Sequence, residues 1–442
     1  MSNFSRRRFL FTTGAAAATT LWLNSCASRT ETTSETTNDI ETVAPLDIAP
    51  EDAPEITTAK LGFIALTDSA PLIIAKEKGF FAKYGMTDVE VIKQASWPVT
   101  RDNIELGSGG GGIDGAHILT PMPYLMTMGA ITQQPVPMYL LARLNVNGQA
   151  ISVSKDYLDL NVTVDSSPLK DAFTKAKAGN KEIQAAMTFP GGTHDLWMRY
   201  WLSAGGIVPN TDISVIPVPP PQMVANMRIS AMETFCVGEP WNEQLVNQNL
   251  GFTALVTGEL WQDHPEKALS LRADWVDENP KATMALLKAT LEAQKWCDQP
   301  ENKEEMCKIV SQDKWFQVPF EDIIDRSQGK IDYGDGRTVD DPNIAMKFWN
   351  DFASYPFKSH DLWFLTENIR WGYIPANTDT KALVEKVNRS DLWIEAAKAI
   401  DTPEAEIPTS DSRGVETFFD GVEFDPENPQ AYLDALKIKT PK

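Results

Sequence analysis

One order of signals occurs twice in this chain, and it limits the fold more than any other feature. An apolar run leads into a tight turn with helix-start residues, then a helical pattern, then a second apolar run. In the first copy, Thr58–Leu66 is the strand, and Thr67-Asp68-Ser69-Ala70-Pro71 supplies the helix start with proline in the first turn. Leu72–Tyr84 carries the helix up to Gly85, and Val89–Ile92 is the next strand. The second copy runs Ala185–Phe189, Pro190-Gly191-Gly192, a helix over Thr193–Ala204 stopped by Gly205-Gly206, and a strand over Ile213–Val218. Each copy then reaches a third strand, Gly112–Leu119 in one and Ala231–Val237 in the other, the latter followed by Gly238-Glu239-Pro240-Trp241. Two βαβ halves predict an α/β chain of two lobes with a cleft between them. Ligands of open α/β sheets sit beyond the carboxyl ends of the strands, so the turns Asp68–Pro71 and Gly191–His194 are expected to face that cleft.

The second turn has its own chemistry. Thr188–Trp201 reads as strand end, tight turn and helix N-terminus, where free backbone N–H groups and a partial positive charge suit a small anion. His194 lies in the first helical turn and adds a possible side-chain donor. By itself the stretch also fits a plain glycine turn with a solvent-facing histidine.

A formal net charge of −21 over 442 residues argues against nucleic acid as a partner, and any anion site must build its positive potential locally. Ser5-Arg6-Arg7-Arg8-Phe9-Leu10 looks like a twin-arginine export signal, and Phe9–Leu23 is short enough to be a signal core rather than a membrane span. It ends in Leu23-Asn24-Ser25-Cys26, which resembles a lipobox with Cys26 as the lipidated residue; Asn24 departs from the commoner small residues, and a plain secretory signal is the alternative. Residues 1–26 therefore read as a signal that leaves the protein on the periplasmic face of the inner membrane. Residues 27–56, rich in Thr, Glu, Ser and Pro, read as a disordered tether spanning about 30 Å. The organisation expected beyond it is a first lobe over 57–148, a second over 149–241, and a return to the first lobe with a helical wrap over 242–442. Cys297 and Cys307 flank the turn of a helical hairpin, so an exported chain could join them or leave both as thiols. No Cys or His cluster has zinc spacing, and no metal or cofactor is expected.

Several enzyme signatures are missing. Gly107–Gly112 satisfies G-x-G-x-x-G literally, but its strand follows rather than precedes it, so a turn is the better reading than a nucleotide site. There is no phosphate-binding loop of ATPases, no G-x-S-x-G elbow and no H-E-x-x-H. His194 and Asp195 are neighbours on a helix, so their side chains diverge. Three further residues are candidate donors to an anion: Trp97 after the second strand, Gln149 where the chain leaves the first lobe, and Lys267 before the apolar run Leu269–Leu271. Trp97 and Lys267 also have ordinary readings, as a core indole and a solvated lysine, and the Gln149 amide would donate from the hinge.

The segments Lys60–Gly79, Lys93–Asn103, Gly112–Leu125, Thr188–Trp201, Val237–Trp241, His264–Lys267, Ser359–Tyr373 and Asp425–Leu433 together carry a resemblance that runs over residues 59–440. The chain is similar to the nitrate-binding lipoproteins of cyanobacterial-type ABC importers, with the bicarbonate-binding proteins as near relatives. The resemblance implies a two-lobed fold of the type II periplasmic-binding-protein kind with a helical C-terminal extension. It also implies an ABC permease and ATPase as partners, a lipid anchor in the membrane, and no catalysis. The family's ligand contacts fall here on Trp97, Gln149, His194, Gly238 and Lys267. In the bicarbonate type an acidic residue stands at the position of Lys267 and calcium bridges to the anion, so Lys267 favours nitrate, with nitrite beside it. Lys267 is expected to be the buried cation that the anion neutralises, each relieving the other's desolvation. Bicarbonate, and an enzyme on the same fold, are the alternatives.

Overall fold

The computed structural model describes residues 40–439. The signal, Cys26 and the first part of the tether lie outside them. Ten strands build two five-stranded sheets: β1 Thr58–Phe63, β2 Asp88–Lys93, β3 Gly115–Leu119, β4 Met138–Arg143, β5 Gln149–Ser154, β6 Gln184–Met187, β7 Ser214–Pro217, β8 Thr234–Gly238, β9 Gly251–Val256 and β10 Lys267–Arg272. The first sheet has the order β2-β1-β3-β10-β4 and the second β7-β6-β8-β5-β9. In each, one strand, β1 in the first and β6 in the second, pairs in parallel with two neighbours, and the two strands that end the order, β10-β4 and β5-β9, are joined antiparallel. Both sheets thus have the same plan. β3, β8 and β9 are buried throughout, which explains why the first two read as strands in the sequence.

The chain passes from one sheet to the other between β4 and β5, and comes back between β9 and β10. These two crossings run side by side: Leu144 N donates to Lys267 O at 2.8 Å, and Asn147 N to His264 O at 3.0 Å. The return falls later than the expected Asn242, because β9 pairs with β5 and completes the second sheet. A six-residue apolar strand at an open edge finds its ladder there before the chain can leave.

Three other expectations change. The helix read as Leu72–Tyr84 is two helices, Ala70–Glu77 and Phe80–Lys83, divided at Gly79 in the left-handed region with φ +79°. Residues 40–56 are not a loose tether but are bound to the body. Val43 N donates to Lys78 O at 2.8 Å and Leu46 N to Lys83 O at 3.0 Å, satisfying carbonyls at the ends of those two helices. The Glu55 carboxylate accepts from Lys281 N and Ala282 N, so it caps the helix Pro280–Asp298.

The C-terminal region also serves both lobes rather than the first alone. The helix Ser390–Ala399 packs on the first-sheet side, where Arg389 N donates to Leu140 O at 2.9 Å. The helix Lys358–Arg370 lies instead on the second-lobe helix Thr193–Ala204, with Trp363 stacked on Trp197 at 4.7 Å between ring centres and Arg370 donating to Ser203 Oγ at 2.9 Å. Arg326 joins the same lobe by pairing with Glu239 and Glu243 and donating to Thr253 Oγ1. The cause is apolar: helix Thr193–Ala204 carries Trp197, Tyr200 and Trp201, all wholly buried, and needs aromatic cover on its outer face. Cys236, Cys297 and Cys307 are separate buried thiols, so the hairpin turn is not cross-linked. Among the described residues no helix is long and apolar enough to cross a membrane.

Candidate ligand-binding site

The five expected residues all lie at strand ends or in first helical turns where the two sheets meet. Trp97 opens the helix Trp97–Leu106 after β2. Ser96 caps that helix by accepting from Val99 N at 3.4 Å, and Pro98 occupies its first turn. Gln149 is the first residue of β5 and pairs across the sheet with Gly238, the last residue of β8. His194 stands in the first turn of helix Thr193–Ala204, which Gly191 makes possible by taking φ +73° in the preceding turn. Lys267 opens β10.

Gly238 is needed for clearance. A Cβ at this position would stand 3.0 Å from Asp68 Oδ2 and 3.4 Å from Leu66 Cδ2, so the turn after β1 approaches the end of β8 only because no side chain intervenes. That contact links the two lobes. Trp241 Nε1 strengthens it by donating to Ala65 O at 3.1 Å.

The site is shut from solvent. Trp97, His194 and Lys267 are 0% exposed and Gln149 is 1% exposed. Even so, Trp97 Nε1, both amide atoms of Gln149 and His194 Nε2 have no hydrogen-bond partner in the protein. His194 Nδ1 is tied to Thr188 Oγ1 at 2.5 Å, and its Nε2 lies 3.1 Å from Glu266 Oε1 without the alignment of a hydrogen bond. Leaving one buried polar group unpaired costs about 1–3 kcal/mol, so a cluster of such groups is a strong sign of a ligand that pairs with them.

Two carboxylates that sequence reasoning did not assign to the site complete it. Lys267 Nζ donates to Asp68 Oδ2 at 2.8 Å and also pairs with Glu266 Oε1. Asp68 Oδ1 in turn lies 2.6 Å from His117 Nε2, and Glu266 Oε1 accepts from Thr193 Oγ1 at 3.0 Å. The lysine expected to lack a partner therefore has two, because a wholly buried ammonium needs counter-charge even before a ligand arrives. Burial alone would raise the Asp68 and Glu266 carboxyls. The Lys267 ammonium, aided by His117 for Asp68 and His194 for Glu266, holds both below the usual carboxylate range. Burial would likewise lower Lys267, yet Asp68 and Glu266 lift it above its ordinary value. For His117 and His194 burial prevails, and both imidazoles are pushed down toward the neutral form.

Asp68 was legible only as helix-start chemistry, and His117 as one residue of an apolar strand. Glu266 carried no signal in the sequence beyond its place before Lys267; β10 begins at Lys267, so Glu266 belongs to the incoming loop and can turn to the same side. Behind the site, Asn368 Nδ2 donates to Gly191 O at 3.1 Å, and Asp195 Oδ2 accepts from Gly191 N at 2.8 Å. The C-terminal extension and the helix itself thus grip the glycine turn that carries His194. Among the described residues no His, Cys, Asp and Glu group is arranged to hold a metal ion.

Two sheets of like plan, joined by two crossings and enclosing unpaired polar groups at their junction, define the two-lobed class of periplasmic binding proteins. The chain belongs to the NMT1-like family, whose sequence model matches residues 52–311. It is 64% identical to the nitrate/nitrite binding protein NrtA of Synechocystis sp. PCC 6803 over the full length of both chains. The crystal structure of the periplasmic nitrate-binding protein NrtA from Synechocystis PCC 6803 aligns over 87% of this chain and 100% of that one, with TM-score 0.86 and 68% identity. Similarity to the bicarbonate-binding protein CmpA of Synechococcus elongatus PCC 7942 is lower, 44% identity over 98% of each chain. The nitrate import ATP-binding protein NrtC of Synechocystis sp. PCC 6803 is 36% identical over 86% of this chain, which spans 55% of NrtC.

Proposed function

We propose that this chain is the solute-binding component of an ABC importer, capturing nitrate outside the cytoplasmic membrane and handing it to the permease, with nitrite as a second substrate. In this reading Trp97, Gln149, His194, Gly238 and Lys267 line the anion site, the first three as hydrogen-bond donors. The observation that carries it is the set of fully buried polar groups without partners, Trp97 Nε1, the Gln149 amide and His194 Nε2, grouped around a buried ammonium. Nitrate is planar, singly charged and only accepts hydrogen bonds, so it matches these donors. Micromolar capture requires about −8 kcal/mol. Three or four charge-assisted bonds of roughly 1.5–3 kcal/mol each reach that after association costs.

Full-length similarity to a protein named for nitrate and nitrite, well above that to one named for bicarbonate, supports the choice of anion. Kinship with a nitrate-import ATP-binding protein supports delivery to an ABC importer, and relatives named as binding proteins support capture without turnover. Cys26, with the signal that precedes it, supports a lipid anchor on the periplasmic face of the membrane. The complete burial of Trp97, His194 and Lys267 supports lobe closure over the anion. Calorimetric titration with nitrate, nitrite and bicarbonate, the last with and without calcium, tests the reading, and the ligand should be recovered unchanged. Calcium-dependent bicarbonate binding with no nitrate signal would overturn it.

A further inference from the structure

The buried charges around Lys267 do not balance in favour of an anion. One ammonium faces two carboxylates, Asp68 and Glu266, all three 0% exposed. With neutral imidazoles the cluster already carries an excess negative charge, and nitrate adds another in a place closed to water. Such an excess is not sustained in a protein interior unless a cation or a proton enters with it.

His117 offers a place for that proton. Its Nε2 lies 2.6 Å from Asp68 Oδ1, and an ionised carboxylate only accepts, so Nε2 carries the hydrogen of the neutral ring. Nδ1 is then a bare lone pair, buried and without a partner. The ring lies 5.5 Å from that of Trp97, centre to centre, on the first-lobe side of the site. His194, by contrast, has Nδ1 engaged by Thr188, and its unpaired Nε2 is the nitrogen that the nitrate reading uses as a donor to the anion.

We propose that the cleft binds a proton together with its anion, the proton settling on Nδ1 of His117. This rests on the nitrate reading of the site. The proton comes from water or buffer, adds to the Nδ1 lone pair without breaking any bond in the protein, and leaves again when the anion does. The resulting imidazolium pairs with Asp68, so that only Glu266 still opposes Lys267 and the ammonium can serve the anion. Charged groups facing His117 come from two directions: Asp68 in the turn after β1, and Glu266 with Lys267 at the start of β10. The neighbouring helix Met122–Met128 has no charged residue. Lys60 on β1 and Arg101 on helix Trp97–Leu106 have surface partners, Glu90 and Asp102. Asp102 is exposed and Glu105 half-buried at the Gln133 backbone. Before the anion arrives, burial keeps His117 below the ordinary imidazole range, so the ring starts neutral and the anion's charge drives the uptake.

The sign follows from linkage. The anion raises the imidazole's proton affinity in the complex, so binding is tightest below the free-state value. It weakens by up to about tenfold per unit as pH rises from there to the bound-state value, and levels off above it. The test is calorimetry of the full chain with potassium nitrate in Tris and in HEPES, which differ in ionisation enthalpy, at about pH 7.5. Uptake of about one proton per nitrate is expected; in His117→Asn the uptake is lost, and nitrate binds more weakly with an affinity that no longer rises as pH falls. Equal heats in both buffers would overturn the proton while leaving nitrate capture intact, and absence of any nitrate heat would overturn both. Undiminished uptake in His117→Asn would remove the assignment to His117. Should that variant fail to fold, imidazole nitrogen shifts of the four histidines in the unmodified chain, with and without nitrate, identify the ring that gains the proton; no change at His117 would likewise sink the assignment.

Discussion

Lys267 Nζ and Asp68 Oδ2 stand 2.8 Å apart although 199 residues separate them in the chain. Their pairing joins the start of β10 to the turn after β1, and the same carboxylate oxygen lies where a Cβ at residue 238 would nearly meet it. One ion pair thus sits at the junction of the first sheet, its returning strand and the second sheet. The arrangement makes the charge at position 267 decisive for both ligand and fold.

Replacing the ammonium should therefore be severe. In Lys267→Glu three carboxylates would crowd one closed site, and nitrate affinity is expected to fall by more than 100-fold, about 3 kcal/mol or more. Calorimetry reads the affinity, and circular dichroism checks that the variant is folded. Micromolar nitrate binding in a folded variant would remove Lys267 from the site.

Trp97→Phe separates binding from stability. The indole N–H has no partner in the protein, so losing it leaves no group newly unsatisfied, and the phenyl ring keeps part of the packing. Nitrate affinity should drop about tenfold, one charge-assisted hydrogen bond of roughly 1.5 kcal/mol, with only a small fall in ligand-free Tm from the lost ring volume. A fall in ligand-free Tm with intact affinity would show that the indole serves packing alone.

Asn368 tests whether the C-terminal extension supports the site from behind. Its Nδ2 donates to Gly191 O and to Phe364 O, and its Oδ1 is buried without a partner. Asn368→Ala should free the glycine turn, lower stability by about 1 kcal/mol and weaken nitrate binding several-fold, although the side chain points at the turn and not at His194. Unaltered affinity would mean that Asp195 holds the turn alone.

The buried histidines set the acid limit of stability. Burial holds His264 and His360 down at about 4 from an ordinary 6.5. The unfolded chain therefore binds protons that the folded chain refuses. Their contribution is full above about pH 6.5 and is lost as pH falls toward 4, by roughly 1.4 kcal/mol per unit for each ring. Asp68 and Glu266, held below the carboxylate range, add to the loss once pH drops under about 4. Thermal melts in nitrate-free buffer from neutral pH to about 4.5 should show Tm falling steadily. A flat profile across that range would contradict neutral buried imidazoles.

By itself the sequence determined the elements and their order. Pro71, Pro98 and the glycines at 191 and 192 are local signals that act within a few residues, so strands, turns and helix starts could be read from them. The repeat of that order implied two α/β halves, and both sheets have the same plan. Local signals were weaker where a partner from far along the chain decides the outcome. Residues 40–56 looked too polar to order, yet helix-end carbonyls at Lys78 and Lys83 bind them; β9 read as part of the return, yet an open edge beside β5 claims it.

The candidate site divides in the same way. Trp97, Gln149, His194, Gly238 and Lys267 were named from sequence, each at a strand end or helix start. That Asp68, His117 and Glu266 enclose Lys267 was settled only in three dimensions, since a wholly buried charge recruits its counter-charges by distance through space, whatever their separation along the chain.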